Sequence, residues 1–166
     1  MSKTKNSCWL EKKRIDPQNL ERFVQDLRKQ KLTIATLNGS FDLLHSGHLY
    51  ILFEAKKQAD KLIVALNSDS SIRQYKGPTK PIISLEDRLS MMAAIECVDY
   101  VTWFEETDPR VLLDKIRPDV HVNGVEYGPN CIEAEVVRKH GGIVHLVDRI
   151  PGLATTAIIA KIRGLP

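Results

Sequence analysis

Long apolar runs are missing from this 166-residue chain, and nothing in it approaches the roughly 18 consecutive apolar residues that a membrane span requires. The N-terminus is polar and lacks the apolar centre of a secretory signal. Cysteine is scarce. Cys8, Cys97 and Cys131 are odd in number and far apart, which supplies neither a disulfide framework nor a zinc knuckle. Charge of one sign is also lacking: a formal net charge of +3, with no basic stripe interleaved with aromatics, argues against a nucleic-acid partner. Lysine and arginine gather at Lys3–Arg14 and Arg22–Lys31, where a solvated tail and a helix face account for them. No Gly-x-Gly-x-x-Gly follows an apolar run, which argues against a dinucleotide-dependent oxidoreductase. What remains is a cytoplasmic protein with no membrane partner. Its 43% hydrophobic content predicts one α/β domain with a sizeable core.

The chain is organised around Asn38-Gly39-Ser40-Phe41-Asp42-Leu43-Leu44-His45-Ser46-Gly47-His48. An apolar run before it, Thr33 to Leu37, reads as a buried strand, and an amphipathic run after it, Leu49 to Ala59, reads as a helix. Open α/β sheets bind ligands at such junctions, because the helix start offers unpaired backbone N–H groups and the positive end of its dipole. His45 and His48, three residues apart, would share one face of the first helical turn. Gly39 and Gly47 carry no Cβ and would let a phosphate approach the backbone. The pattern predicts a polyphosphate site with imidazole donors. The plainer alternatives are capping or core histidines, or two ligands of an incomplete metal set that no other His, Cys or Asp completes.

Along the rest of the chain, residues 1–15 are expected to be a flexible, charged N-terminal segment, with residues 16–166 forming the domain. Asp16-Pro17 predicts a helix start, followed by Leu20, Phe23, Val24 and Leu27 at the spacing of one helical face. Lys61–Leu66 predicts a second strand, parallel to the first through the crossover helix. Ser70 to Ser84, with Arg73, Lys76, Gly77, Pro78, Lys80 and Pro81, reads as a basic loop. Ser84 with Glu86 and Asp87 predicts a capped helix running to about Cys97. Tyr100–Phe104, Val120–Asn123 and Ile143–Val147 complete five strands. Helices are expected from Asp108-Pro109 to about Arg117, over Ile132–His140, and from Thr155 or Thr156 to Arg163. Alternating strands and helices imply a Rossmann-like, doubly wound α/β sheet of five parallel strands.

The run Gly39-x-Phe41-Asp42, joined to His45-x-Gly47-His48 between a strand and a helix, resembles the signature of the nucleotidyltransferase superfamily. The resemblance extends from about Asp16 to Gly164. It implies that a phosphate oxygen of one substrate attacks the α-phosphate of a nucleoside triphosphate and that pyrophosphate leaves. A phosphate monoester is already anionic near neutral pH, so the enzyme must align two repelling anions and stabilise charge rather than supply a strong base. Mg²⁺ would travel on the triphosphate.

In this resemblance His45, His48, Lys76 and Arg88 are the catalytic candidates, Lys76 being open to a second reading as a solvated lysine. The nucleotide would lie against Asn38, Gly39, Ser40, Phe41, His45, Gly47, His48, Arg88, Asn123, Gly124, Thr155 and Thr156. The second substrate would meet Asp42, Asp69 and Lys76, with a loop-capping role equally open for Asp69. The stretch Pro151 to Ile159 is similar to a second phosphate element that usually reads Ser-Thr-Thr, and Ala154 here replaces the Ser.

Within the superfamily, Val64-Ala65-Leu66-Asn67-Ser68-Asp69, Lys76-Gly77 with Lys80-Pro81, and Thr155-Thr156-x-Ile158-Ile159 resemble the adenylyltransferases that make ADP-heptose for lipopolysaccharide core assembly. The implied partners are ATP, a sugar 1-phosphate, a separate upstream sugar kinase and a second copy of the chain in a homodimer. The sequence departs from that pattern at Ser40, where Cys or Val is frequent, and at Asn123-Gly124-Val125-Glu126-Tyr127, where Lys-Gly-Gly-Asp-Tyr is common. Arg149 is instead similar to glycerol-3-phosphate cytidylyltransferases, which makes CTP with a phosphorylated alcohol the alternative. No Lys-Met-Ser-Lys-Ser loop is present to suggest a fragment of an aminoacyl-tRNA synthetase.

Overall fold

The computed structural model describes residues 7–148, 150 and 154–165, with side chains from residue 10 onward. Five strands, β1 (Ile34–Gly39), β2 (Lys61–Asn67), β3 (Tyr100–Phe104), β4 (Val120–Gly124) and β5 (Ile143–Val147), form one parallel sheet in the order β3-β2-β1-β4-β5. The central strands are buried along almost their whole length, which is why they read as continuous apolar runs rather than alternating ones. The expected Rossmann-like α/β architecture is therefore the observed one.

Helices α1 (Ser7–Lys13), α2 (Leu20–Lys29), α3 (Ser46–Lys56), α4 (Asp69–Lys76), α5 (Leu85–Ala94), α6 (Arg110–Ile116), α7 (Ala134–Lys139) and α8 (Thr155–Arg163) connect and cover the strands. On one face of the sheet Leu52 and Ala55 of α3 and Leu89, Met92 and Ala93 of α5 pack against Leu37, Val64, Leu66 and Val122. On the other, Leu20, Val24 and Leu27 of α2 and Leu112 and Ile116 of α6 pack against Ile34, Ile63, Ala65 and Phe104. Burial of these apolar faces, rather than helix propensity, holds helices this short. Among the described residues no helix is long and apolar enough to cross a membrane.

Several local expectations shift. Asp16-Pro17 opens a turn, not the helix: the Asp16 carboxylate accepts from Gln18 N at 2.8 Å, its carbonyl accepts from Asn19 N, and α2 begins at Leu20. The stretch expected as a loop from Ser70 contains α4, started by the Ser68 hydroxyl accepting from Ser71 N at 3.1 Å and anchored by buried Ile72. Gly77, at φ +90°, ends it. Part of the segment expected to be flexible is also structured. Lys13 Nζ donates to the carbonyls of Ile95 and Val98 at 3.1 and 2.6 Å. Arg14 forms a two-pronged pair with Glu86 at 2.5 and 2.7 Å and lies over the Trp103 ring.

One feature of the sheet creates the site. β1 pairs with β2 as far as Gly39↔Leu66, and β4 pairs with β5 as far as Gly124↔Val147. Between β1 and β4 only Ala35↔Val120 and Thr36↔His121 are paired. Beyond that rung the two strands diverge, because the chain leaves them toward opposite sides, and a crevice opens at the carboxyl end of the sheet.

Candidate active site

The crevice is a cleft of about 780 Å³ lined by the ends of β1 and β4 and the starts of α3 and α8. Of the residues singled out in the sequence, Asn38, Gly39, Ser40, Phe41, Asp42, His45, Gly47, His48, Lys76, Asn123, Gly124, Thr155 and Thr156 line it. Arg88 and Asp69 do not.

His45 is the N-cap of α3 and His48 lies in its first turn, with His48 N bonded to the His45 carbonyl at 2.9 Å. Their rings stack, with centroids 3.9 Å apart and planes 27° from parallel. Phe41, itself in a left-handed conformation (φ 48°), slips its buried ring beside His48, centroid to centroid 5.4 Å. This changes the role of Gly39. A Cβ there would press on Phe41 Cε2 at 3.2 Å, so the space that the glycine leaves is filled by the phenyl ring rather than kept for a phosphate. Burial, then the neighbouring His45 and Lys76 charges, push the His48 imidazole down to about 4, so it is neutral near pH 7. His48 Nδ1 and Asn38 Oδ1 are both buried without a partner in the protein. Polar atoms left so at the wall of a cleft await a ligand or water.

The same cleft holds a cation within electrostatic reach of His48. Lys76, at the end of α4, donates to Ser40 Oγ at 2.9 Å, and the same hydroxyl shares a 2.8 Å hydrogen bond with Tyr75 Oη. Burial lowers the Lys76 ammonium below its ordinary value, and Lys80 and Arg88 add to that against the pull of Asp42. Tyr75 lines the cleft and escaped the sequence reading, although it precedes Lys76 on the same helix. Asp42 faces inward. Its carboxylate accepts from Ile82 N at 2.9 and 3.0 Å and from Ile83 N at 2.8 Å, with Lys80 Nζ at 4.0 Å. It fixes the loop before α5, so this cleft-lining carboxylate is already engaged by backbone N–H groups.

Arg88 departs furthest from expectation. It is fully buried on α5 and spends its guanidinium on protein: Nε to Ile83 O at 3.1 Å, Nη1 to Ser40 O at 2.5 Å, and Nη2 to Asn67 O at 2.9 Å and Asp69 Oδ1 at 2.8 Å. It ties the loop after β1 to the end of β2 and so positions Ser40 from behind the cleft wall. Asp69 is its counter-ion and does not line the cleft in which it was expected to meet the second substrate.

Helix α8 begins without a side-chain cap, since Ala154 stands at the N-cap. The Thr155 hydroxyl donates to the Leu43 carbonyl at 3.5 Å, joining α8 to the histidine loop instead of capping its own helix. The helix start therefore presents backbone N–H groups to the cleft, the arrangement that suits phosphate oxygens. Arg149 and Pro151 to Leu153, on which part of the sequence resemblance rests, lie outside the described residues. Asn123 and Gly124 line the cleft together with Glu126, Glu133 and Asp148, which no motif or spacing had singled out. Among the described residues no three His, Cys, Asp or Glu side chains gather as a metal cage.

A parallel sheet forked at its switch point, with paired imidazoles at one helix start and an uncapped second helix start lining the same cleft, defines an enzyme of the nucleotidyltransferase type. The chain belongs to the cytidylyltransferase-like family, whose model matches residues 36–159. Curated relatives include the bifunctional protein HldE of Syntrophotalea carbinolica, 43% identical over 81% of this chain, and that of Hahella chejuensis, 40% identical over 88%. The chain spans 28% and 31% of those two proteins. Among solved structures, a lipopolysaccharide core biosynthesis protein from Thermoplasma volcanium is 30% identical with a TM-score of 0.58, covering 72% of this chain and 97% of its own. A pantoate–β-alanine ligase from Francisella tularensis shares the fold at a TM-score of 0.59 and 16% identity, over 90% of this chain and 76% of the ligase.

Proposed function

We propose that the chain is an adenylyltransferase that joins ATP and D-glycero-β-D-manno-heptose 1-phosphate to give ADP-heptose and pyrophosphate. The observation that carries this reading is one cleft holding stacked His45 and His48 at a helix start, an uncapped second helix start, and a separate cation at Lys76. The triphosphate lies against the starts of α3 and α8, with His45 and His48 donating to its α- and β-phosphates. Lys76 leaves Ser40 to meet the sugar phosphate. A phosphate oxygen of the sugar attacks the α-phosphorus, the bond from that phosphorus to the bridging oxygen breaks, and pyrophosphate departs with both bonding electrons. His48, neutral in the empty site, gains donors and charge as phosphate arrives, so stabilisation grows with the negative charge it serves. Mg²⁺ bound to the triphosphate would screen its charge, held by phosphate oxygens and water, as that ion prefers.

The names of the curated relatives and of the Thermoplasma protein support the heptose reading. It carries with it an upstream sugar kinase activity, cytoplasmic localisation and a homodimeric assembly, the last checked by mass in solution. The deciding experiment measures pyrophosphate release from ATP or CTP with heptose 1-phosphate or glycerol 3-phosphate. Release only from ATP with heptose 1-phosphate is expected. Release from CTP with glycerol 3-phosphate, and none from ATP, would replace the reading with a cytidylyltransferase.

A further inference from the structure

Two neighbours on the last turn of α4 converge on one hydroxyl. Lys76 Nζ donates to Ser40 Oγ at 2.9 Å, and Tyr75 Oη shares a 2.8 Å hydrogen bond with the same atom. The ammonium also lies over the Tyr75 ring, 5.5 Å from its centroid. Lys76 is thus held by two groups that carry no charge. Burial raises the Tyr75 phenol above its ordinary value, so it stays protonated and neutral.

Both ends of this clasp are fixed. Ser40 sits on the loop after β1, where fully buried Arg88 donates to its carbonyl at 2.5 Å. Tyr75 rides on α4, which the Ser68 hydroxyl starts and Ile72 anchors in the core. The hydroxyl pair therefore bridges two elements from positions 35 residues apart.

No carboxylate takes part. Among the described residues no ion pair includes Lys76. Asp42, whose charge reaches it, accepts from Ile82 N and Ile83 N and has Lys80 Nζ at 4.0 Å. Neutral partners suit a cation that serves an arriving anion. A lysine side chain open to solvent samples many rotamers, and that freedom is lost each time it meets a ligand. A carboxylate would hold the ammonium still but would compete with a phosphate for it. A hydroxyl and a ring face hold it and leave its charge uncompensated.

We infer that Ser40 and Tyr75 are positioning residues: their paired hydroxyls and the Tyr75 ring keep the Lys76 ammonium aimed into the cleft until a phosphate displaces them. This rests on the nucleotidyltransferase reading for the identity of the phosphate, and adds to it the groups through which Lys76 is prepared. A phosphate brings full negative charge to the ammonium, which a hydroxyl cannot match. The clasp then yields, and Ser40 Oγ keeps Tyr75 Oη as its partner.

Nuclear magnetic resonance of protein isotope-labelled at its lysine carbons tests the clasp without any reaction, the Lys76 Cε signal being assigned by its loss in Lys76→Ala. In the wild-type protein that methylene is expected to relax as a restrained group, and to gain nanosecond mobility in Ser40→Ala and in Tyr75→Phe. Wild-type mobility no lower than that of the two variants would overturn the inference. Pyrophosphate release, measured in a double-mutant cycle, tests the consequence. Ser40→Ala is expected to lower turnover about three- to tenfold with ATP affinity unchanged, and Ser40→Thr to restore it to within about twofold of wild type. When Lys76 is already alanine, Ser40→Ala is expected to cost less than about twofold more. A full Ser40→Ala loss on top of Lys76→Ala would overturn the inference, since Ser40 would then act by itself. Absence of pyrophosphate with every nucleotide and acceptor would remove the transferase reading, and the mobility of Lys76 would still decide whether the hydroxyls hold it.

Discussion

His45 and His48 stack face to face at 3.9 Å, close enough that a proton on one opposes a proton on the other. Burial is the larger effect, the His45 charge the next, and together they lower the His48 imidazole from about 6.5 to about 4. Between those values the unfolded chain binds more protons than the folded one, so stability rises with pH across the window and is lost as pH falls through it. Buried His121, also lowered to about 4 by burial, acts in the same direction. The melting temperature is therefore expected to drop as pH is lowered from about 6.5 toward 4, and to drop less in His48→Asn. Equal slopes for the two proteins would mean that His48 is not held neutral by the fold.

Replacing either ring by alanine should spare the fold, because each lies at the wall of the cleft. Steady-state assay of His45→Ala and His48→Ala is expected to show turnover reduced by roughly two to three powers of ten, the usual effect of losing one preorganised donor at developing charge. Activity within threefold of wild type would take histidine out of the reaction.

Arg88→Ala should fail differently. The change leaves Asp69 without its cation and the Ser40, Asn67 and Ile83 carbonyls without their donor, around a guanidinium that is fully buried. A loss of about 3–5 kcal/mol in urea denaturation is expected. A fully stable Arg88→Ala with impaired nucleotide binding would restore the phosphate-contact role that the burial of this side chain argues against.

Lys76→Ala is expected to lower turnover by roughly tenfold or more while leaving ATP affinity nearly unchanged, since its ammonium faces the end of the cleft assigned to the second substrate. Weaker ATP binding with normal turnover would place Lys76 on the nucleotide instead.

Legibility in the sequence followed the range of the interaction. The strands stood out because buried parallel strands are continuous apolar runs, and the Ser84 cap because its partner Asp87 lies three residues away. Helix α4 was hidden: a single buried apolar residue, Ile72, gives no periodicity, and Arg73 and Lys76 looked like a basic loop. The histidine pair was visible as a local motif. What Asp42, Asp69 and Arg88 do was not, since each is claimed by groups 19 to 48 residues away that composition and spacing cannot reveal. That Glu133 lines the cleft was equally hidden, as the cleft exists only once β1 and β4 part.

That parting has its hinge in the interior. The last rung joining β1 to β4 is Thr36↔His121, where Thr36 Oγ1 and His121 Nδ1 share a hydrogen bond of 2.8 Å in a fully buried place. The fork thus opens directly beyond two side chains that no solute touches, Thr36 and His121. A search for variants with altered substrate breadth should begin there, underneath the opening, as well as around its rim.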